Sequence, residues 1–483
     1  MFIGIDIGTS AVKLSLVTED LTQISEATAP LTVQSMNPYW SEQDPSAWWD
    51  ALIAAFADLR QRHDLTGVQA LGLSGQMHGA VLLDAERRII RPAILWNDGR
   101  AHLECEAMAK ALPSIADLAG VPPMPGFTAP KLLWLKHNEP DAFARIAHVL
   151  LPKDFIGYRL HGGLVTDRSD AAGTHWLDQK ARRWSPDLCA VSSTDPSWLP
   201  TLMDGPDIAG VLTSDVAALF GLRPEIPVAA GGGDAATGAA GIGAIGDGDA
   251  FLSLGTSGQL FVATDSYRRN PDQMVHAYCH TVPNMWFQMA AMLNGARPLQ
   301  WFADISGARV ATLLAEAKQI APHDAPLFLP YLTGERSPHG DAHIRGSFYG
   351  LTDSMTRAHL MRGIVNAVAF SFADAADSLR AAGTEIADPL AIGGGAQSDL
   401  LLQTIADVIR ISVRRAKGSV TGPALGAARL AAVASGAADL ADISRRPESE
   451  TWFEPSPSAD YEAALKGYRG LYRRLKGIHL DNA

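Results

Sequence analysis

Cysteine is scarce in this chain of 483 residues: Cys105, Cys189 and Cys279 stand far apart and form no Cys-x-x-Cys pair. Their spacing supports neither a disulfide framework nor a zinc cage, and it fits a reducing cytoplasm. A basic surplus is also missing. Lys and Arg number 40 against 52 Asp and Glu, a net charge of -12, so no extended cationic surface is expected for a nucleic acid. An anionic ligand must then be met locally, by backbone amides, a few cations or a metal. No apolar run is long enough to span a bilayer, and Met1 runs into a strand pattern without a charged leader or cleavage site. A cytoplasmic protein with no membrane partner is expected. The rest is ordinary globular composition, 47% hydrophobic and 19% charged, in a chain too long for one core. Two α/β-sized domains are expected.

The stretch that organises the chain is Pro227-Val228-Ala229-Ala230-Gly231-Gly232-Gly233-Asp234-Ala235-Ala236-Thr237-Gly238. It reads as a buried strand, three glycines that let backbone approach something closely, and a carboxylate at the mouth of an Ala/Gly-rich helix. Asp234 is either a helix cap or a group aimed into a cleft.

The N-terminus, Phe2 to Val17, reads as two strands joined by a tight Gly8-Thr9-Ser10 turn. Alternation of Ile3, Ile5 and Ile7 on one face sets Asp6 on the other, beside the turn. Asp6 is either satisfied by turn amides or placed there for chemistry. Asp44-Pro45 opens a helix whose buried face carries Trp48, Trp49, Leu52, Ile53 and Phe56. The strand Val68 to Ser74 ends in Gly75-Gln76-Met77-His78-Gly79. Ligands of open α/β sheets sit at strand ends, which makes Gln76, Met77 and His78 pocket candidates. Ile94 to Arg100 suggests a hairpin with an Asp98-Gly99 turn, Pro122 to Lys131 a loop with a helix beginning at Leu132, and Ser169 to Gly173 a connection.

Ala250 to Val262 repeats the strand, Gly-Thr-Ser, strand hairpin, with Gly255, Thr256 and Ser257 at the turn. Aligned on the turns, Ser253 stands where Asp6 does and Leu260 where Lys13 does, so only the first copy carries charge. One copy with ions and another with only a cradle suggests two halves closing on one polyanion, with a boundary near residue 245, giving 1–245 and 246–483. In the second half a long helix is expected from about His359 to Ala381. A strand then runs into Gly393-Gly394-Gly395-Ala396, with Ser398 or Asp399 capping the next helix. Gly422 to Ala428 opens a small-residue helix suited to close packing, and Ala459 to Leu475 is amphipathic with a basic face.

Together these pieces resemble, in order and over nearly the whole chain, the FGGY family of carbohydrate kinases. Gly126-Phe127-Thr128-Ala129-Pro130-Lys131-Leu132-Leu133-Trp134-Leu135 is similar to the family's first signature, and Gly346-Ser347-Phe348-Tyr349-Gly350-Leu351 to the start of its second. The second departs further on: Gly363 stands where the family has Ala or Ser, and Asn366 where it usually has an acid. The resemblance implies two α/β, actin-like or hexokinase-like (ribonuclease H-like) ATPase domains flanking a central cleft. Within the family, Ser41 to Pro45, Gly75 to Gly79, Leu95 to Arg100 and Leu151 to Asp154 resemble the members that phosphorylate D-xylulose.

What the resemblance implies is ATP-dependent phosphorylation of D-xylulose at its 5-hydroxyl, in an enzyme whose partners are a small-molecule sugar and ATP, with a homodimer as the assembly to test. Asp234 is then the general base. Met77, His78 and Gln76 lie against the sugar with Asp234, His78 donating a hydrogen bond to a hydroxyl. Asp6 acts through Mg2+ and its waters, because magnesium keeps much of its hydration. Gly8, Thr9, Ser10, Gly255, Thr256 and Ser257 offer donors to the phosphates, Lys13 supplies a charge or pairs with Asp6, and Gly394, Gly395 and Ala396 flank the adenosine. The family usually follows the base with a carboxamide; this chain has Ala235. The alternatives are a kinase for ribulose, glycerol or gluconate, and a non-catalytic actin-like nucleotide switch.

Overall fold

The computed structural model describes residues 1–417 and 422–478. Its first large sheet contains β1 (Phe2–Ile7), β2 (Ala11–Val17), β3 (Gln23–Pro30), β4 (Ala70–Gly75) and β5 (Pro227–Gly233) in the order β5-β4-β1-β2-β3, with Ile208–Val211 outside β5. The second contains β6 (Ala250–Leu254), β7 (Gly258–Thr264), β8 (Trp286–Met292), β9 (Leu390–Ile392) and β10 (Val413–Ala416) in the order β10-β9-β6-β7-β8, with His276–Cys279 outside β8 and Ser449–Phe453 outside β10. In both sheets the first three of these five strands form an antiparallel meander and the other two run parallel to its first strand. The internal repeat seen in one hairpin thus extends to five strands in each half.

The two hairpins differ by one residue. β1 and β2 pair Asp6 with Lys13 and Ile7 with Val12, whereas β6 and β7 pair Leu254 with Gly258 and Ser253 with Gln259. The residue opposite Ser253 is therefore Gln259 and not the Leu260 of the sequence alignment. A shift of one residue exchanges the two faces of a strand, so Leu260 goes to the core.

Five helices matter below: α1 (Pro45–Arg62), α2 (Arg168–Ala172), α3 (Asp234–Gly241), α4 (Arg357–Ala381) and α5 (Pro423–Ala434). Asp44 caps α1 as expected, its side chain accepting from the Ser46 amide, and Trp48, Trp49, Leu52 and Phe56 are buried. α4 runs through the core of the second half, and both departures from the family's second signature lie on it. A Cβ at Gly363 would come within 2.6 Å of the Pro326 carbonyl oxygen, and Asn366 donates through Nδ2 to the Pro322 carbonyl at 3.0 Å. An acid at 366 could not make that bond when ionised.

α5 lies in the second half of the chain but packs on the first sheet, its Ala428, Ala431 and Ala432 joining Phe2, Val17 and Ala70 in one cluster. Glycine makes the approach: a Cβ at Gly4 would stand 1.8 Å from the Ala424 carbonyl oxygen and one at Gly72 1.9 Å from that of Ala427. Gly426 permits the crossing with α3, where a Cβ would stand 1.7 Å from the Thr237 carbonyl oxygen. Gly72→Ala is expected to lower the unfolding free energy by about 1–3 kcal/mol through overpacking, as read from urea denaturation. The terminal helix, Glu462–Leu475, buries Tyr468, Leu471 and Tyr472. Its expected basic face is partly engaged, Arg469 pairing with Asp374 and Asp377 at 2.6 Å each.

Candidate active site

Asp234 is the first residue of α3, and the cap position is Gly233; the Asp is therefore not the helix cap. It is half-buried. Burial and the negative charge of Asp6 push its carboxyl up from 3.8 to about 7. Asp6 ends β1 almost fully buried, and its carboxyl is pushed up to about 6 by burial, held back by Ser74 and Lys13. The negative charge of Asp6 thus favours the protonated form of Asp234. Asp6 Oδ1 has no hydrogen-bond partner, so turn amides do not satisfy it. Lys13 is exposed and opposite Asp6 in the ladder.

The glycines before Asp234 serve the protein's own packing rather than a ligand. A Cβ at Gly231, where φ is +75°, would stand 1.8 Å from the Leu73 carbonyl oxygen. One at Gly232 would meet Thr281 and Ser169, and one at Gly233 would stand 2.9 Å from Met77 Cγ. Met77 thus lies buried against the strand end that carries Asp234.

His78 adopts a left-handed backbone, φ 72°. Its Nδ1 lies 2.7 Å from the Gly173 carbonyl oxygen, which can only accept, so Nδ1 carries a proton. Burial, with a smaller contribution from Lys131, holds the imidazole well below its usual range, leaving a neutral ring with a bare Nε2. His78 therefore offers a sugar hydroxyl an acceptor, the reverse of the donation expected from the sequence. The first signature holds this loop. Its helix starts at Thr128 and not Leu132. Lys131, fully buried, donates to the carbonyls of His78 at 2.9 Å and Ile94 at 3.0 Å, and Thr128 Oγ1 donates to the same His78 oxygen at 3.1 Å.

Gln76 is not free to hold a sugar. Its Oε1 accepts from Thr9 Oγ1 at 2.9 Å, and its Nε2 donates to the Gly8 carbonyl at 3.3 Å and to Gln43 Oε1 at 3.1 Å. Gln43 in turn donates to the Thr9 carbonyl at 2.7 Å, and Trp96 Nε1 donates to Thr9 Oγ1 at 3.0 Å. Both glutamines brace the first hairpin turn. Within that turn the Gly8 amide donates to Ala11 at 3.0 Å, so it is not available to a phosphate; Ser10 is exposed. Asp98 and Arg100 form no simple hairpin turn. Asp98 accepts from the Ser41 amide at 2.7 Å and pairs with Arg100, whose guanidinium also reaches Glu42 at 2.7 Å and lies 3.9 Å from the Trp40 ring centroid.

The second hairpin turn opens on a cavity of about 660 Å³ lined by Gly255, Thr256, Gly394 and Gly395. Ser257 does not line it, and Ala396 is 3% exposed, packed into the core. A Cβ at Gly394 would meet nothing within 4 Å, so here glycine does leave room for a ligand. The rest of the wall includes Ala296, Arg297, Gln300, Val310 and Leu314, from helices Arg297–Ser306 and Val310–Ala317. Nothing local in their sequence distinguished them from other amphipathic helices. Ser398 caps the helix after the glycines, accepting from the Leu401 amide at 3.2 Å.

The loop Gly334 to Pro338 carries a functional candidate that no motif in the sequence marks. Glu335 is buried and accepts from the amides of Leu293 at 2.6 Å and Arg336 at 2.7 Å. The half-buried Arg336 side chain makes no hydrogen bond among the described residues, and its charge is felt at His78, His276 and Tyr278. It brings a cation of the second half to the His78 neighbourhood.

Residues 1–241 match the FGGY family of carbohydrate kinases, N-terminal domain, and residues 250–435 its C-terminal domain. The chain is 42% identical to the xylulose kinase of Escherichia coli K12 over 98% of each chain, and 37% identical to that of Bacillus subtilis 168 over 99% of this chain and 97% of the relative. Among solved structures, a xyloylose kinase from Brucella ovis superposes with a TM-score of 0.95 at 41% identity, covering 98% of this chain and 99% of the other. A gluconate kinase from Lactobacillus acidophilus superposes with a TM-score of 0.93 at 26% identity, covering 99% and 98%. Matched along both halves, with the same five-strand pattern in each sheet, the chain belongs to the FGGY family of carbohydrate kinases.

Proposed function

We propose that this kinase transfers the terminal phosphoryl group of ATP to the 5-hydroxyl of D-xylulose, with Asp234 as general base. The observation that carries the chemistry is a half-buried carboxyl just beyond a strand end, raised to about 7, with Met77 packed against the Gly233 that precedes it. The 42% identity to a xylulose kinase over 98% of each chain supports the sugar.

Phosphoryl transfer requires an acceptor held in line and neutralised phosphate charge. Asp234 orients the hydroxyl and takes its proton late in the transfer, and His78 Nε2 accepts from a second hydroxyl. Magnesium, when bound, neutralises phosphate charge. The orphan Oδ1 of Asp6 fits a cation's water, and no group of three or more His, Cys, Asp or Glu forms a metal cage among the described residues. Both features suit an ion held through water and nucleotide oxygens. Ser10 and the free groups of Thr9, Thr256 and Ser257 serve the phosphates, with Lys13 as a nearby charge. The cavity at Gly255, Gly394 and Gly395 takes the adenosine. The chain divides near residue 245, and closure of the halves excludes water. Among the described residues no helix is long and apolar enough to cross a membrane, and Cys105, Cys189 and Cys279 are buried and free. These features support a cytoplasmic enzyme; a homodimer is the assembly to test.

A coupled assay of ADP release over ketopentoses, glycerol and gluconate tests the substrate. D-xylulose is expected to give the highest kcat/KM; a higher value for another acceptor, or ADP release independent of sugar, would overturn the reading. Gluconate is the second reading, favoured by the structural neighbour named above. An absent carboxamide removes a donor and an acceptor beside the base, so Ala235→Asn is expected to lower the KM for D-xylulose by about 2–10-fold, one hydrogen bond's worth. Unchanged KM values for all ketopentoses would show that position 235 does not touch the sugar.

A further inference from the structure

Behind the site lies a buried ionic cluster that the chemistry above does not use. Lys153 is fully buried, with its Nζ 2.5 Å from Asp154, 3.0 Å from Asp167 and 3.6 Å from Asp170, all of them buried. Asp167 caps α2: its Oδ2 accepts from the Ser169 amide at 2.7 Å and from Ser169 Oγ at 2.5 Å. Ser169 Oγ, its proton directed at Asp167, accepts from the Gly233 amide at 3.2 Å. A continuous chain of polar contacts therefore runs from the lysine through Asp167 and Ser169 to the residue immediately before Asp234. At the other end of α2, the Gly173 carbonyl receives the His78 Nδ1 proton at 2.7 Å. A Cβ at Gly173 would stand 2.5 Å from the His78 ring, so that contact is close as well as polar.

One five-residue helix thus holds the backbone of the base at its start and the imidazole of the sugar loop at its end. We infer that α2, seated on Lys153, registers the base against the sugar-binding histidine, and that Ser169 is a positioning residue for Asp234. Two elements far apart in the chain, β5 and the loop after β4, must be set to within a fraction of an ångström for the hydroxyl to sit in line. Gripping both from one rigid element adds a polar tie to the packing of Met77 against Gly233. Asp170 is the third acid on that ammonium, and neither of its oxygens has a hydrogen-bond partner among the described residues. Burial, with Asp154, Asp167 and Asp234 as like-charged neighbours, holds its carboxyl well above the usual range.

The inference rests on Asp234 being the base, and the test separates the two. Lys153→Met strands buried acids and is expected not to fold, so the informative change is Ser169→Ala. Turnover of D-xylulose at saturating ATP is measured for Ser169→Ala, Asp234→Asn and the double variant, with thermal denaturation as a check of folding. Ser169→Ala is expected to lower kcat about 10-fold, with the KM for D-xylulose within about twofold. The same change is expected to cost nothing further in the Asp234→Asn background, because its effect passes through the base. The same loss in both backgrounds, or a raised KM with kcat unchanged, would overturn it. Near-normal turnover of Asp234→Asn alone would instead overturn the base assignment beneath it.

Discussion

Asp234→Asn is expected to lower kcat by about 10²–10⁴-fold, the usual cost of a positioned general base, while leaving the protein folded and able to bind ATP. The structure adds a pH signature. A base must be ionised to act, and the Asp234 carboxyl lies at about 7. The kcat/KM of the wild type should therefore rise with pH through about 7 and fall roughly tenfold per unit below it, with the variant lacking that limb. Stability should move the other way. A carboxyl raised from 3.8 to about 7 by folding favours the native state at low pH and loses that contribution as pH rises through about 7. At pH 8 the isosteric amide removes a charge that folding has partly buried, so Asp234→Asn should melt at a higher temperature than the wild type. Turnover lost together with stability gained separates a group kept for chemistry from one kept for structure.

Asp6→Ala is expected to abolish productive use of magnesium ATP, with kcat/KM falling by about 100-fold or more, the scale on which charge stabilisation acts in a closed site. Its magnesium titration should shift as well, and an unchanged magnesium dependence would count against the role. Asp6 also influences its neighbour. Its negative charge is part of what holds the proton on Asp234, so Asp6→Asn should move the acid limb of the residual kcat/KM profile below about 7. If that limb stays in place, the two acids do not act on each other and burial alone explains the raised value.

The features legible from the chain were those written within a few residues. Hairpin turns, the N-cap of α1 at Asp44, the strand ends carrying Asp6 and Asp234, and the glycine-marked cavity were all read from local pattern. Errors arose where two segments meet. Gln76 was read as a pocket residue from its place at a strand end, yet its amide is taken up by Thr9 and Gln43, 67 and 33 residues away. Lys131 was read as part of a loop because Pro130 precedes it, yet it is a buried helical residue whose ammonium is matched by carbonyls of two other segments.

The sequence by itself determined the hairpins, the strand ends that carry Asp6 and Asp234 and, through its signature motifs, the family, because such signals depend on neighbours a few positions apart. Only the tertiary structure decided how those residues are presented. It fixed which His78 nitrogen keeps its proton, through a carbonyl 95 residues away, and it gave the amide before Asp234 to Ser169, 64 residues away. It also laid α5 from the second half across Gly4 and Gly72. Such pairings are chosen by which buried polar groups and bare backbone surfaces satisfy one another once the chain is compact, and no local pattern along the chain encodes that choice.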